Sequence, residues 1–504
     1  MLFNSFAFIF VFFPIVLLGY GILQNHKIAF RKEESKESMF LLVLLVASLI
    51  FYGWMYPSCV LILLLSMLVN FGLAKWMLRQ KGTVKNRGDE EKATCEKTDC
   101  KGEGLVADTA KKILILGVVL NVAVLASFKY LKLTAPGISF FTFTQIAFLA
   151  ECYKGTLQSV KPLEYGLYVS FFPKLIQGPI ALPEDMISQF RKFRLQVDFE
   201  RVYRGLYLFV LGLFKKVIIA DTLGGAVDFG YTNLAALNSG DAWIVMLSYT
   251  LQLYFDFGGY CDMAMGIAGM LGFDLPLNFN SPYKAANIIE FWDRWHITLT
   301  KFFTKYIYIP LGGSRKGRAR TYVNCLIVFF ISGLWHGTGW QFIIWGMMHG
   351  ALNVLTRMWK EWKRKRNIGK GLPRFISVGL TFLYVNVAWV FFRAPSVKDA
   401  ISVLKRLVSF EFGRINWDLA GCFNLDEFWY VIKVIGLDSW KYGHYILMVV
   451  ILFALLVLVF GAKTAVSHVK TAKPGVLHVI FMAVLFVWSV LALSGVSSFL
   501  YFNF

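Results

Sequence analysis

Charge is the scarce ingredient of this 504-residue chain. Asp, Glu, Lys and Arg make up 16% of it, against 57% hydrophobic residues. Soluble domains carry about 25% charged residues, so a large water-soluble protein is excluded. Cysteine is sparse as well: the seven cysteines (59, 95, 100, 152, 261, 325 and 422) are scattered, and four lie in apolar stretches as small hydrophobes. Cys95 and Cys100 sit in charged sequence with no nearby histidine or second cysteine pair, so neither a disulfide framework nor a metal site is implied. No P-loop, GxSxG, HExxH or dinucleotide fingerprint occurs. Residues 1–20 lack a basic start and a small-residue cleavage site, which predicts a retained first span rather than a signal peptide.

What the chain has instead is apolar length. Spanning a hydrocarbon core takes ~20 helical residues. Runs of that order cover 6–24, 39–55, 58–78, 113–130, 203–220, 375–394, 445–461 and 475–494. Others (137–152, 163–181, 243–272, 292–311 and 321–356) are broken by Gly, Pro or polar residues. The expectation is an all-α, polytopic transmembrane protein forming a single membrane domain over 1–504.

The net charge of +21 does not point to nucleic acid, because the basic residues cluster in short segments between spans. That is the positive-inside pattern, and it predicts cytoplasmic segments at 27–36, 79–112, 315–320 and 357–374, with anionic lipid headgroups as their ordinary contact. Residues 357–374 alone carry eight Lys or Arg against one Glu. The interruption at Tyr56-Pro57 fits a tight helical hairpin turning outside. Residues 79–112, with nine basic and seven acidic residues, read as a charged cytosolic loop without a core. Residues 395–440 form a late hydrophilic, interfacial segment, in which VKDAISVLKRLV has the apolar stripe of a helix lying in the interface.

Residues 290–350 concentrate the chemistry. Three of the seven histidines, His296, His336 and His349, fall there among residues apolar enough for a bilayer. An intramembrane imidazole is a functional candidate and suits general-base work on a hydroxyl at neutral pH. His336 lies near the midpoint of the stretch between two basic segments, some fifteen residues or roughly 22 Å of helix from either end. It should lie deep, with Gly337 and Gly339 loosening the helix beside it and a cavity nearby. Trp335 and Trp340 are candidates to shape a dry slot around it. Residue chemistry leaves a structural histidine bonded between helices equally open.

Asp293 and His296 are three apart on an expected helix and so would share a face. The carboxylate either orients the imidazole or is simply solvated at a helix start beside Glu290 and Arg294. In YFDFGGYCD (254–262), a polar, Gly-rich break, Asp256 and Asp262 need partners: either Lys or Arg that fix helix packing, or a cavity. The turn YIPLGGSRK offers Ser314, Arg315, Lys316 and nearby Arg318 as a cradle for a donor phosphate, or as an ordinary cytoplasmic turn.

Many of these segments, in this order, resemble the membrane-bound O-acyltransferase family, and within it the alginate O-acetylase branch. The likeness runs from MLFNSFAFIFVFFPIVLL at the start, SLIFYGWMYP, PGISFFTFTQIAFLAECYKG, FFPKLIQGPI and GLFKKVIIAD through LYFDFGGYCDMAMGIAGMLGFDLPLNFNSPY. It continues over EFWDRWHITLT, YIPLGGSRKG, SGLWHGTGWQFIIWG and WVFFRA. The resemblance implies a ring of tilted helices around a thinned centre, with a funnel and tunnel. It places the family's signature histidines on His296 and His336, with His336 in the WHG motif as the catalytic one, and a further histidine at His349. Asp293 stands where relatives commonly have Arg, and FFTKY where many have WLRDY. No polysaccharide-binding domain is present.

The resemblance therefore implies a multi-pass acyltransferase of a bacterial cytoplasmic membrane, with no bound cofactor and no metal. It would move an acetyl group from acetyl-CoA, or an acyl group from a carrier-protein thioester, to an extracytoplasmic polysaccharide. A partner acetyltransferase would complete the transfer. D-alanyl transfer to a teichoic-acid-type polymer is the alternative within the class. A non-enzymatic flippase of a lipid-linked sugar is the alternative outside it; that would call for paired inverted repeats, which are not visible.

Overall fold

The computed structural model describes every residue except 26–32, 92–99, 368, 370, 426, 428–432, 435, 437–439, 441, 473–474, 496–498 and 501–504. Among the described residues there is helix and no strand. Five helical stretches are long and apolar enough to cross a membrane: Lys36–Gly53, Pro57–Gln80, Asp108–Tyr130, Arg374–Arg393 and Gly443–Gly461. Only 22–39% of each is buried inside the protein. Their outward faces carry side chains such as Leu61, Leu68 and Phe453, at 62%, 70% and 68% exposure. At about 25 cal/mol per Å² of apolar surface, such faces are stable only against lipid. The chain is a multi-pass helical membrane protein.

Two compact units build it. The first comprises Met1–Tyr203 and Ile267–Pro276. After a π-helical turn Phe8–Phe12 come α1 (Phe13–Asn25), α2 (Glu33–Gly53), α3 (Pro57–Glu91) and α4 (Cys100–Tyr130). They are followed by α5 (Ile138–Lys154), α6 (Pro162–Ser170), α7 (Phe172–Leu175) and α8 (Pro183–Lys192). The α2–α3 turn falls at Tyr56-Pro57 because proline starts a helix well at its first position but cannot sit inside one. Amide pairs tie the apolar helices together. Asn121 of α4 donates to Asn70 of α3 at 2.6 Å, and Gln145 of α5 donates to Ser66 at 2.9 Å while accepting from Tyr165 at 3.0 Å. The reading of 79–112 as a loop needs correction: helix runs into it from both sides, to Glu91 and from Cys100. Lys, Arg and Glu are good helix formers, so the apolar helices extend into charged sequence. Residues 92–99, with Cys95, and most of 27–36 lie outside the described residues.

The second unit comprises Arg204–Gly266 and Leu277–Phe504. It takes most of α9 (Phe199–Phe214), a π-helical turn Lys215–Ala220, α10 (Asp221–Thr232) and most of α11 (Ser239–Met270). The short helices α12 (Ile288–Trp292) and α13 (Ile297–Phe303) lead to the hairpin of α14 (Arg318–His336) and α15 (Trp340–Lys365). Then come α16 (Arg374–Arg393), α17 (Val397–Val408), α18 (Trp417–Gly421), α19 (Gly443–Gly461), α20 (Ala465–Thr471) and α21 (Val476–Leu491). α17 matches the expected amphipathic helix residue for residue; much of 426–441 lies outside the described residues.

The expected break at YFDFGGYCD is absent, since α11 is continuous. Its glycines serve packing instead. A Cβ on Gly259 would come 2.8 Å from the Gly212 carbonyl, one on Gly212 2.6 Å from the Gly259 carbonyl, and one on Gly266 2.5 Å from the Gly205 carbonyl. Two glycine pairs spaced seven residues apart thus let the α9 and α11 backbones touch, the small-residue contact typical of membrane helices.

Candidate active site

His336 is the last residue of α14. Gly337 leaves the helix with extended backbone, and Gly339 caps α15 two residues later. A side chain on Gly337 would lie 2.1 Å from the Phe342 ring, so packing, rather than φ, requires glycine here. Gly346 presses on the Phe329 carbonyl at 2.4 Å to a built Cβ, which draws the hairpin closed. His336 is therefore carried at the hairpin tip with 4% exposure. Trp335 packs beside its ring at 4.4 Å, and Trp345 and Phe392 each meet it edge-on at 4.9 Å. Trp335 lines the slot as expected, but Trp340 does not, being 73% exposed. The inner position falls to Trp345, on the face of α15 turned toward α14.

His349 lies four residues beyond Trp345, one turn along the same face, and is fully buried. Its ring stands 5.1 Å from both Trp345 and Trp292. Trp345 is thus common to His336 and His349.

His296 occupies a different corner. Helix α12 ends at Trp292 and α13 begins at Ile297, so Asp293 and His296 sit in the turn between them and not on one helix. Asp293 caps α12 and is exposed, whereas His296 is 1% exposed. The shared-face expectation fails because Asn278 rebuilds the turn. Its Oδ1 lies 3.1 Å from His296 Nδ1 and accepts from the Thr298 hydroxyl at 2.9 Å, and its carbonyl accepts from the Ile297 N–H at 3.0 Å. His296 is held at φ 45°, left-handed backbone uncommon outside glycine. Such a conformation persists only where its surroundings impose it. Asn278 Nδ2 donates to Cys261 Sγ at 3.3 Å, which fixes the amide orientation. Nδ1 of His296 is then the donor, and Nε2 the basic nitrogen. Aromatic contacts link the two corners: His296 to Phe279, Phe279 to Trp295, Trp295 to Trp389, Trp389 to Trp345, and Trp345 to His336.

Asp256 and Asp262 find their cations on the π-helical turn that ends α9. Lys216 bonds Asp256 at 2.8 Å and Asp221 at 2.7 Å, and Lys215 bonds Asp262 at 2.6 Å. Asp262 also lines a narrow crevice of about 10 Å³, on the scale of one water, with Lys215, Tyr254, Cys261, Asn278 and Phe279. Asp262 thus has the cation that the packing reading expects, and the crevice extends to the amide that holds His296.

The Ser314 turn is built by left-handed glycines, Gly312, Gly313 and Gly317 at φ 105°, 54° and 90°. Ser314, Arg315 and Lys316 are exposed, while Arg318 pairs with Glu361 at 3.3 Å. Burial of Glu290 works against its charge, but the Ala286 N–H and the Arg294 and Arg374 guanidiniums hold its carboxyl below the usual range. Among the described residues no three His, Cys, Asp or Glu groups converge as metal ligands.

Asn278, Trp345, Lys215 and Lys216 are the site residues that sequence reasoning did not single out. The lysines carried a signal, since two cations inside an apolar run require partners of opposite charge. Asn278 carried none, being joined to His296 only through a turn eighteen residues away.

Apolar helices with outward-facing apolar sides enclose buried imidazoles at a helix end, His336, and in a left-handed turn, His296. The chain belongs to the membrane-bound O-acyltransferase family, whose model matches residues 46–394. It is similar to the peptidoglycan O-acetyltransferase of Helicobacter pylori, 38% identical over 456 residues, covering 81% of this chain and 80% of that protein. It is also similar to the probable alginate O-acetylase AlgI of Pseudomonas aeruginosa, 34% identical over 437 residues, covering 81% and 75%. The teichoic acid D-alanyltransferase of Bacillus subtilis is 28% identical over 273 residues, covering 51% and 68%. The protein is a membrane O-acyltransferase.

Proposed function

We propose that this protein moves an acetyl group from a cytosolic thioester, acetyl-CoA, toward a hydroxyl of an extracytoplasmic cell-surface polysaccharide, in the cytoplasmic membrane of a bacterium. The observation that carries the reading is His336, buried at the tip of the α14–α15 hairpin between Trp335, Trp345 and Phe392. Both relatives matched over most of the chain are named for O-acetyl transfer or O-acetylation. His336 accepts the proton of the acceptor hydroxyl as its oxygen bonds the thioester carbonyl carbon. Collapse of the tetrahedral intermediate breaks the C–S bond, and the proton passes to the departing thiolate. His296, oriented by Asn278, positions substrate or completes the hydrogen-bonded network. A partner acetyltransferase outside the membrane completes delivery to the polymer.

Mild alkali releases esters from the surface polymer of cells with and without this protein. Acetate that depends on the protein supports the reading. Release of D-alanine instead assigns the chain to the D-alanyl reaction, the activity named for the Bacillus subtilis relative. Neither product means that the acyl group is wrong.

A further inference from the structure

Helix α12 and the hairpin bring together three nitrogen-bearing rings whose polar atoms the proposed reaction does not yet use. The ring centroids of Trp292, Trp345 and His349 lie 5.1 to 5.9 Å apart in all three pairings. Their exposures are 8%, 1% and 0%. Among the described residues, Trp292 Nε1, Trp345 Nε1, His349 Nδ1 and His349 Nε2 have no hydrogen-bond partner.

Buried polar groups are nearly always satisfied, because an unmet donor in a low dielectric is costly. One indole N–H can rest on a neighbouring ring face. Four such nitrogens in one mutually touching trio call for an occupant. The two indoles only donate, and a neutral imidazole adds one donor and one acceptor. Three donors against one acceptor leave the trio short of an acceptor, which is the chemistry of an oxygen. The surroundings decide its charge: Phe291 and Phe329 stack on His349 at 6.2 and 6.4 Å, an apolar wall that disfavours a resident anion such as phosphate.

We propose that Trp292, Trp345 and His349 form a binding site for one neutral acceptor oxygen, held by water in the resting protein and by the acyl donor's carbonyl oxygen during transfer. The second half rests on the proposed acyl transfer; the first does not. The Trp345 ring also meets that of His336 at 4.9 Å, so the trio adjoins the candidate base. As the acceptor oxygen bonds the carbonyl carbon, the carbonyl π pair moves onto that held oxygen. The N–H donors stabilise the charge until it returns, the C–S bond breaks and the thiolate leaves with the proton from His336.

The test uses the full chain in lipid nanodiscs, in cryo-EM maps that resolve ordered water, with acetyl-CoA assays on Trp345→Phe, Trp292→Phe and His349→Phe. The resting map should show a water-sized peak within about 3 Å of at least two of the nitrogens. Trp345→Phe, which keeps the ring and removes the N–H, should lose the peak and about 10²-fold in kcat with little change in KM. If Trp345→Phe fails to fold, Trp292→Phe carries the same two readings. A peak with unchanged kcat in the Phe variants overturns the carbonyl role and leaves a structural water. Absence of any peak, with both indole N–H groups against ring faces, overturns the site. A wild-type protein inactive with acetyl-CoA but showing the resting peak overturns the donor assignment, not the site.

Discussion

The side-chain carbonyl of Asn278 lies 3.1 Å from Nδ1 of His296 and holds that histidine in left-handed backbone at φ 45°. The contact sets which imidazole nitrogen carries the proton and where the ring stands. Asn278 is therefore a positioning residue. Asn278→Ala should lower kcat by about 10²-fold, the order expected for misplacing a reacting group by an ångström. Asn278→Asp keeps an acceptor at the same place and should retain more activity than Asn278→Ala. Initial rates at matched protein abundance check this. Equal loss in both variants would mean that the Nδ2 donor to Cys261, which both remove, and not the Oδ1 acceptor, is what matters.

The glycine contacts between α9 and α11 predict a stability effect separate from chemistry. Gly212→Val places carbon where the Gly259 carbonyl stands 2.6 Å away. It should destabilise the protein by about 1–3 kcal/mol or more, as overpacking does. Gly258→Ala, one position from Gly259, should be nearly neutral, because the only atom a Cβ there would meet within 4 Å is a ring carbon of Tyr254 on the same helix, at 3.9 Å. Thermal unfolding in detergent compares the two. Equal Tm values would remove the close-packing argument.

Lys216 neutralises two carboxylates, Asp256 and Asp221, at a site where its own side chain and that of Asp256 are both 1% exposed. Lys216→Met leaves buried charge unmatched and should cost about 3–5 kcal/mol. Adding Asp256→Asn to Lys216→Met should restore part of that loss, because one stranded carboxylate is then neutral. The full double-mutant cycle, read as expression level and Tm, decides it. Strict additivity of the two changes would show that the pair is not energetically coupled.

The turn after Gly313 gives a weaker, salt-sensitive expectation. Arg315 and Lys316 are exposed, while Arg318 is engaged with Glu361. Neutralising Arg315 and Lys316 together should therefore raise the apparent KM for an anionic donor at low salt, with the difference shrinking as salt rises. Arg318→Gln should act mainly on stability. Donor titration at two ionic strengths checks it, and an unchanged KM at low salt would mean that the turn does not receive the donor.

Much of this was legible in the sequence. Five of the eight unbroken apolar runs match helices long and apolar enough to cross a bilayer. Runs 6–24 and 475–494 form shorter apolar helices, and 203–220 gives way to the π-helical turn after Phe214. The proline at 57 marked its turn. Basic flanks placed His336 at the midpoint of a re-entering stretch, and the structure sets it at a hairpin tip. What failed was local geometry decided by distant partners. Asp293 and His296 read as one helix because their spacing is helical, yet Asn278 pulls the chain into a turn between two short helices. The glycines at 258 and 259 read as a break because the role of Gly259 lies against the backbone of α9, which a linear reading cannot see. Trp340 is nearer His336 in sequence, but the course of α15 turns Trp345 inward in its place.

The central claim is that His336 is the base and that His296 supports it. Initial acyl-transfer rates of His336→Ala, His296→Ala and the double variant, at equal abundance and Tm, test it most directly. The account predicts no ester formation by His336→Ala and a measurable residue of activity in His296→Ala. The double variant should be no worse than His336→Ala, since groups acting as a unit are not additive. Wild-type rates in His336→Ala would contradict the assignment outright; His296→Ala as inactive as His336→Ala would mean that the two histidines share the chemistry.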